Sequence, residues 1–182
     1  MPKLNEDIKQ KIKQLPKPEL EKLVLKIASK NKEFYDYIYV TYIDQKTGEY
    51  DLFEAAKNDI NLLFMKRYKG FSEELQMANM ISACVKRINE FSKICKKKNL
   101  EADLLLYVLD DVFSVSSKMF GTCFTAFDNR VGLLLKRLIT LVTKKLHPDF
   151  IVNYTEKINI YLTQLHSTSD HNDVIYNMPE FI

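Results

Sequence analysis

Residues that interrupt regular structure are scarce in this chain, which has only four glycines and five prolines among 182 residues. This scarcity predicts long helices or strands joined by short connections. It also leaves no glycine-rich loop to hold a phosphate group, so the sequence contains neither a P-loop nor a dinucleotide-binding fingerprint. The HExxH zinc motif is absent as well. No local motif therefore indicates an enzyme, although catalytic residues that converge only in space would leave no such motif.

Cysteine is equally scarce. The three cysteines (Cys84, Cys95 and Cys123) are an odd number, and none lies in a CxxC pair. Cys84 and Cys95 share one face of a predicted helix, where their separation along the axis, about 16 Å, excludes a disulfide between them. We expect both to be buried core thiols, because free cysteine is among the most buried residue types. This usage predicts a reduced, cytoplasmic compartment.

Long hydrophobic runs are missing too. No stretch approaches the roughly 18 apolar residues of a membrane span, and the N-terminus lacks the apolar core of a signal peptide. We therefore expect no contact with a membrane. The composition is otherwise ordinary for a globular protein, with 46% hydrophobic and 28% charged residues and a net charge of +3. A chain of this length buries enough surface to fold without a disulfide or a metal ion.

Helical periodicity dominates the residues that are present. It predicts about eight helices, over 4–14, 18–28, 32–43, 51–70, 73–98, 101–120, 122–146 and 148–166. The later helices are long and their connections short, so consecutive helices run antiparallel. We expect an all-α single domain over 1–182, built from long αα-hairpins in an orthogonal bundle or a short helical-repeat stack. Within it we expect a smaller lobe at 1–47, a main bundle at 51–166 and an irregular tail at 167–182.

One short similarity favours the repeat form of this fold. The stretches Val85-Lys86-Arg87-Ile88 and Leu135-Lys136-Arg137-Leu138 lie 50 residues apart on two different predicted helices. Each of those helices is followed by another helix of similar length. If the similarity marks a repeat, the two helix pairs form stacked hairpins.

Two adjacent carboxylates, Asp110 and Asp111, interrupt an apolar run in the helix predicted over 101–120. At about 100° per residue both fall on the polar arc of that helix, and their side chains diverge. We interpret them as part of an acidic strip that faces solvent or an interface, or that pairs with a basic neighbour; catalytic or metal use is the remaining alternative. The histidines of the tail match no common metal-site spacing. We predict no catalytic residue, no metal site and no cofactor.

Basic residues recur at helical spacing on two predicted helices, 73–98 and 122–146. These two strips consist of Lys86, Lys93, Lys97, Arg130, Lys136, Arg137 and Lys144. Within each helix most of these residues are seven apart, so they share one polar arc. If both strips lie on one wall, that wall attracts phosphates or an acidic protein surface. The alternatives are that they are solvated helix faces, or that the acidic strip neutralises them within the fold.

We therefore predict a non-enzymatic, cytoplasmic scaffold or protein-interaction module that docks an acidic partner on these strips, with exposed tyrosines adding contacts. A nucleic-acid-binding accessory protein that uses the same strips is the alternative. An enzyme assembled only in space is a remote one, and would need Asp110 or Asp111 beside His147 or Cys123 in one pocket. A large exposed apolar face would instead indicate a homo-oligomer.

Overall fold

The computed structural model describes residues 4–115, 117–123 and 125–182. Over these residues the chain forms nine α-helices and no β-strand, which confirms the prediction of an all-α fold with about eight helices. The chain divides into two compact units, Met1–Gln45 and Lys46–Ile182.

The first unit contains three short helices, and the third continues into a π-helical turn. The helices are α1 (Glu6–Lys13), α2 (Lys17–Ala28) and α3 (Lys32–Ile38), and the turn is Tyr39–Ile43. Helices α2 and α3 pack against each other, but neither contains a buried residue. Val40 is the one hydrophobic residue of the described part of this unit that is buried.

Local capping explains where two of these helices begin. The side chain of Asn5 accepts a hydrogen bond of 2.9 Å from the backbone N–H of Ile8, and Asn31 accepts one of 3.1 Å from the N–H of Phe34. Each bond satisfies a donor that the first turn of a helix leaves without an intrahelical partner. The helices of the first unit therefore depend on local interactions more than on a shared core.

The second unit contains the long helices. They are α4 (Gly48–Phe64), α5 (Glu73–Ile94), α6 (Lys98–Val115), α7 (Ala126–Lys145), α8 (Pro148–Ser169) and the short α9 (Asp173–Tyr176), with a 3₁₀ turn at Ser117–Met119. Each long helix packs against the next one in the chain, and α6 lies centrally against α4, α5 and α7. Leu104, Leu105 and Val108 of α6 are completely buried, as the wide apolar arc of this helix predicts.

Three predicted helix ends were too late. Helix α6 ends at Val115 and not at 120. Helix α4 ends at Phe64 and not near Gly70, and the Tyr68 hydroxyl donates to the Leu63 carbonyl at that end (3.0 Å). Helix α5 ends at Ile94 and not at Lys98, because the backbone N–H of Lys96 donates to the Glu49 carboxylate at the start of α4 (2.8 Å). Helical periodicity reports neither of these side-chain contacts.

The C-terminal segment also differs from the irregular tail expected at 167–182. Helix α8 continues to Ser169, and α9 begins where the Asn172 side chain accepts a hydrogen bond from the Val174 N–H (3.0 Å). Ile175 of α9 is completely buried and packs close to Gly132 of α7. The absence of a side chain at Gly132 allows this approach, so a glycine within α7 marks the place where the tail packs.

Candidate interaction surface

The basic strips lie on helices that touch. Helices α5 and α7 pack against each other. We call six residues the basic face: Lys86, Lys93, Arg130, Lys136, Arg137 and Lys144. All are exposed except Arg137, which is partly buried. Because α7 carries one acidic residue, Asp128, and that residue is completely buried, the outward charge of α7 is entirely positive.

Lys97, the seventh residue of the predicted strips, lies elsewhere. It follows the end of α5, where its ammonium is 3.5 Å from the Glu49 carboxylate and 4.1 Å from the centre of the Tyr50 ring. Both partners belong to α4. Burial acts to raise the pKa of Glu49, but hydrogen bonds from Lys96 and its neighbours together with the charge of Lys97 outweigh burial and lower it. Lys97 thus ties α4 to the α5–α6 connection and is not part of the basic face.

Arg137 joins three helices. Its guanidinium donates to the Asn89 side chain of α5 (2.6 Å) and to the Glu101 carboxylate of α6 (2.8 Å). Glu101 is buried and also accepts a hydrogen bond from Lys98 (2.8 Å). Burial would raise the pKa of Glu101, but the hydrogen bonds and charges of Lys98 and Arg137 prevail and lower it. Glu101 is therefore a charged acid inside the fold, balanced by two cations.

Two residues of the basic face, Arg130 and Arg137, line a groove between α5 and α7. Its volume is about 340 Å³, and it is lined by Ile81, Ser82, Val85, Arg130, Leu133, Leu134 and Arg137. The floor is apolar, since Ile81 and Leu134 are buried, while Leu133 is 44% exposed at the rim. These two arginines therefore border a hydrophobic recess. Sequence reasoning missed this recess, although Leu133 is an apolar residue on the polar arc of α7, three residues after Arg130 and four before Arg137.

The acidic strip of α6 is mostly occupied by helix α8. Asp110 accepts hydrogen bonds from the Tyr161 hydroxyl and from Lys157 (2.6 Å), and Asp103 accepts one from the Tyr154 hydroxyl (2.7 Å). Burial and the adjacent carboxylates raise the pKa of both tyrosines. The strip thus fastens α6 to α8, and the basic neighbour of Asp110 is Lys157.

The adjacent Asp111 diverges from Asp110. It is partly buried, burial raises its pKa, and its charge contributes to the raised pKa of Cys84 in α5. Burial is the main cause of the pKa of about 12 at Cys84. Burial raises the pKa of Cys95 to about 12 as well, and both thiols are buried as expected for core cysteines.

Cys123 and His147, the alternative partners of Asp110 or Asp111 in a spatially assembled enzyme, lie apart. Cys123 precedes α7 and His147 follows it, so the 20 residues of this helix separate them by about 30 Å. The His147 side chain caps the start of α8, where its Nδ1 lies 3.2 Å from the Asp149 carboxylate. Asp110 is engaged by Lys157 and Tyr161, so Asp110 and His147 have different partners.

A second cavity, of about 720 Å³, lies beside α8 and the C-terminal residues. The polar groups on its wall hold the tail in place. Asn159 accepts a hydrogen bond from the backbone N–H of Ile182 (2.9 Å) and donates to its carbonyl (3.3 Å). The His166 ring lies 3.1 Å from the Asp170 carboxylate and 3.3 Å from the Pro179 carbonyl. We assign these contacts a structural role.

No helix in the described part of the chain is long and apolar enough to cross a membrane. The same residues include no group of three or more histidine, cysteine or acidic side chains arranged to hold a metal ion. Comparison with protein-family models, with curated proteins and with solved structures found no match to this chain.

Proposed function

We propose that this chain is a non-enzymatic, cytoplasmic helical interaction module that docks an acidic protein on the basic face of α5 and α7. One observation carries the proposal: the outward charge of α7 is entirely positive and borders an apolar groove. A charged helix surface that only keeps a protein in solution has no need of a hydrophobic recess between its cations. A protein partner satisfies both features, because interfaces combine an apolar centre with a charged rim.

The charge balance favours an acidic protein over a nucleic acid. Residues 46–182 contain 18 Lys and Arg against 17 Asp and Glu, so the unit that bears the basic face is close to neutral. Nonspecific nucleic-acid binding depends on neutralising many phosphates and accompanies a large excess of cations. Among the exposed tyrosines, Tyr35 and Tyr42 belong to the first unit, and Tyr50 and Tyr176 belong to α4 and α9 of the second. The residues that line the groove include no aromatic side chain.

The proposal is tested by measuring the affinity of the full chain for fluorescent poly-L-glutamate and for DNA, single-stranded and duplex, at about 50 mM salt and above. We expect poly-L-glutamate to bind with an affinity that falls as salt rises. The triple variant Lys86→Glu/Lys136→Glu/Lys144→Glu should weaken that binding by about tenfold or more, because it reverses charge on the basic face.

The matched control is Lys22→Glu/Lys26→Glu/Lys30→Glu, which changes net charge equally at exposed lysines of the first unit. Equal loss in both variants would show that net charge alone drives binding, and would contradict the proposal. Steeply salt-dependent binding to DNA that exceeds binding to poly-L-glutamate would favour the nucleic-acid alternative. Absence of binding to either polymer would reject both.

A further inference from the structure

The groove between α5 and α7 constrains what kind of acidic partner fits. Arg130 and Arg137 both line it from α7. They are seven residues apart, so the two guanidiniums originate about 10.5 Å from each other along the helix axis. Leu133 and Leu134 lie between them, with Val85 on the opposite wall. The sequence of features along the groove is therefore cation, apolar recess, cation.

An α-helix of the partner can present the complementary order along its axis, namely an anion, an apolar side chain and a second anion. Two carboxylates seven residues apart on one helix face have the same axial spacing of about 10.5 Å. A residue three or four positions after the first carboxylate lies on the same face, midway between them. If that residue is leucine or another large apolar side chain, it projects into the recess while both carboxylates meet a guanidinium. Grooves between helices accept amphipathic helices in this manner.

The polar groups at the recess do not oppose an apolar occupant. The Ser82 hydroxyl donates to the Ala78 carbonyl of its own helix (2.8 Å), so covering it leaves no unsatisfied donor. Arg137 uses one N–H group toward Asn89 and one toward Glu101, and a guanidinium has five N–H groups in total. Arg137 therefore retains donors for a carboxylate of the partner.

We propose that the α5–α7 groove binds an amphipathic acidic helix of the partner protein, an inference that rests on the proposed function. The central apolar side chain of that helix fills the recess between Arg130 and Arg137. The volume of about 340 Å³ is near the lower end of ligand pockets, which span roughly 300–1,000 Å³. This volume suits one or two side chains of a docked helix. A phosphate backbone would meet the two arginines but leave the hydrophobic floor uncovered.

Two synthetic helical peptides test the inference on the full chain. Both carry glutamates seven residues apart on one face and have equal charge; one has leucine midway between each pair of glutamates and the other has alanine. Fluorescence anisotropy of the labelled peptides gives the affinities. We expect the leucine peptide to bind about tenfold more tightly, because only its side chain removes apolar surface from water in the recess.

A pair of variants locates the effect. Leu133→Ala removes part of the rim of the recess, and Leu62→Ala removes an equally apolar side chain that is 68% exposed on α4. Because Leu133 is itself 44% exposed, the variant should fold, and circular dichroism checks this. We expect Leu133→Ala to reduce the advantage of the leucine peptide severalfold and Leu62→Ala to leave it unchanged.

The outcomes separate the inference from the proposed function. If poly-L-glutamate and both peptides bind, but leucine and alanine peptides bind equally, the recess is not used and the inference fails while acidic docking stands. If the leucine advantage persists in Leu133→Ala, the apolar contact lies elsewhere and the inference fails as well. If neither peptide nor poly-L-glutamate binds, the proposed function fails together with it.

Discussion

The two units of this protein share a helical fold but differ sharply in how they use hydrophobic residues. In the described part of Met1–Gln45, Val40 is the one buried hydrophobic residue, whereas the described part of Lys46–Ile182 contains the other 35. Exposed large hydrophobic side chains are divided evenly between the units. Among the described residues, eleven lie in the first unit, including Leu25 at 68% exposure, and eleven lie in the second unit, which is three times as long.

Helix length accounts for much of this difference. The helices of the first unit have 8, 12 and 7 residues, and those of the main bundle have 17 to 22. Isolated helices shorter than about 12–15 residues are marginal in water, and packing of the apolar face supplies most helix stability in proteins. An amphipathic helix sequence therefore does not by itself ensure that a unit forms a hydrophobic core. The comparison predicts that equivalent substitutions have unequal effects in the two units.

The largest expected effect is loss of a core aromatic side chain. Phe91 of α5 is completely buried, and its ring meets that of Phe53 at 6.4 Å. Phe91→Ala should lower the free energy of unfolding by about 3–5 kcal/mol, because it removes apolar contacts and leaves a cavity. Leu25→Ala in the first unit should change it by less than about 0.5 kcal/mol. Urea denaturation measures both. Similar losses in the two variants would contradict the comparison.

A smaller effect is expected at the corner between α6 and α7. Gly121 has a φ of 73°, and a Cβ there would lie 2.4 Å from the Thr168 carbonyl oxygen. Gly121→Ala should destabilise the second unit by about 2 kcal/mol in thermal or urea unfolding. Gly121→Asn relieves the backbone strain in part but keeps the clash with Thr168. Full recovery of stability in the asparagine variant would therefore exclude that clash as the cause.

A buried ion pair should contribute more to stability than an exposed one. Glu101→Gln in the second unit should cost about 1–2 kcal/mol, because Arg137 and Lys98 lose their charged acceptor in a partly buried site. Glu6→Gln in α1 breaks the pair with Lys9, in which both side chains are largely exposed, and should have no resolvable effect. Denaturation curves of the two variants test this. A comparable cost at Glu6 would show that the first unit depends on its charges.

The smallest effect concerns Asp128, which is completely buried and has one carboxylate oxygen without a hydrogen-bond partner among the described residues. Burial raises its pKa despite hydrogen bonds from Gly121 and Ser169. The folded state therefore binds the proton more tightly than the unfolded chain, and this group favours folding less as pH rises above about 4. Relative to Asp128→Asn, the wild type should gain stability as pH falls from neutral toward about 4. If the free energies of unfolding of the wild type and Asp128→Asn changed in parallel with pH, the raised pKa of Asp128 would be contradicted.

Much of the fold follows from local sequence. Helix starts at Asn5, Ser72 and Pro148 depend on capping or proline geometry within one turn, and the apolar arc of α6 follows from periodicity. The end of α5 at Ile94 depends on Glu49, which lies 47 residues before Lys96 in the chain. At the end of α4, the Tyr68 hydroxyl donates to the Leu63 carbonyl five residues earlier. Helical periodicity reports neither contact, so these ends were predicted wrongly.

Like the fold, the candidate surface was predictable from the sequence only in part. Spacing placed Lys86, Arg130 and Lys144 on exposed arcs, where the structure has them. It did not separate Lys97 from this group, because the partners of Lys97 are 47 or more residues away on α4. It also did not reveal Glu101 as the partner of Arg137, 36 residues earlier in the chain. Which residues pair across helices depends on how the helices pack, and a single sequence does not specify that packing.

The three-helix contact of Arg137 makes the two groove arginines unequal in an encounter. Fixing a long side chain at an interface costs roughly 0.5–1.5 kcal/mol of conformational entropy. Arg137 loses that freedom during folding, because Asn89 and Glu101 already hold its guanidinium. Arg130 is exposed and loses it only on association. At the proposed interface, Arg137 would therefore be a fixed point that aligns an incoming chain, and Arg130 would adjust to the chain once it is aligned.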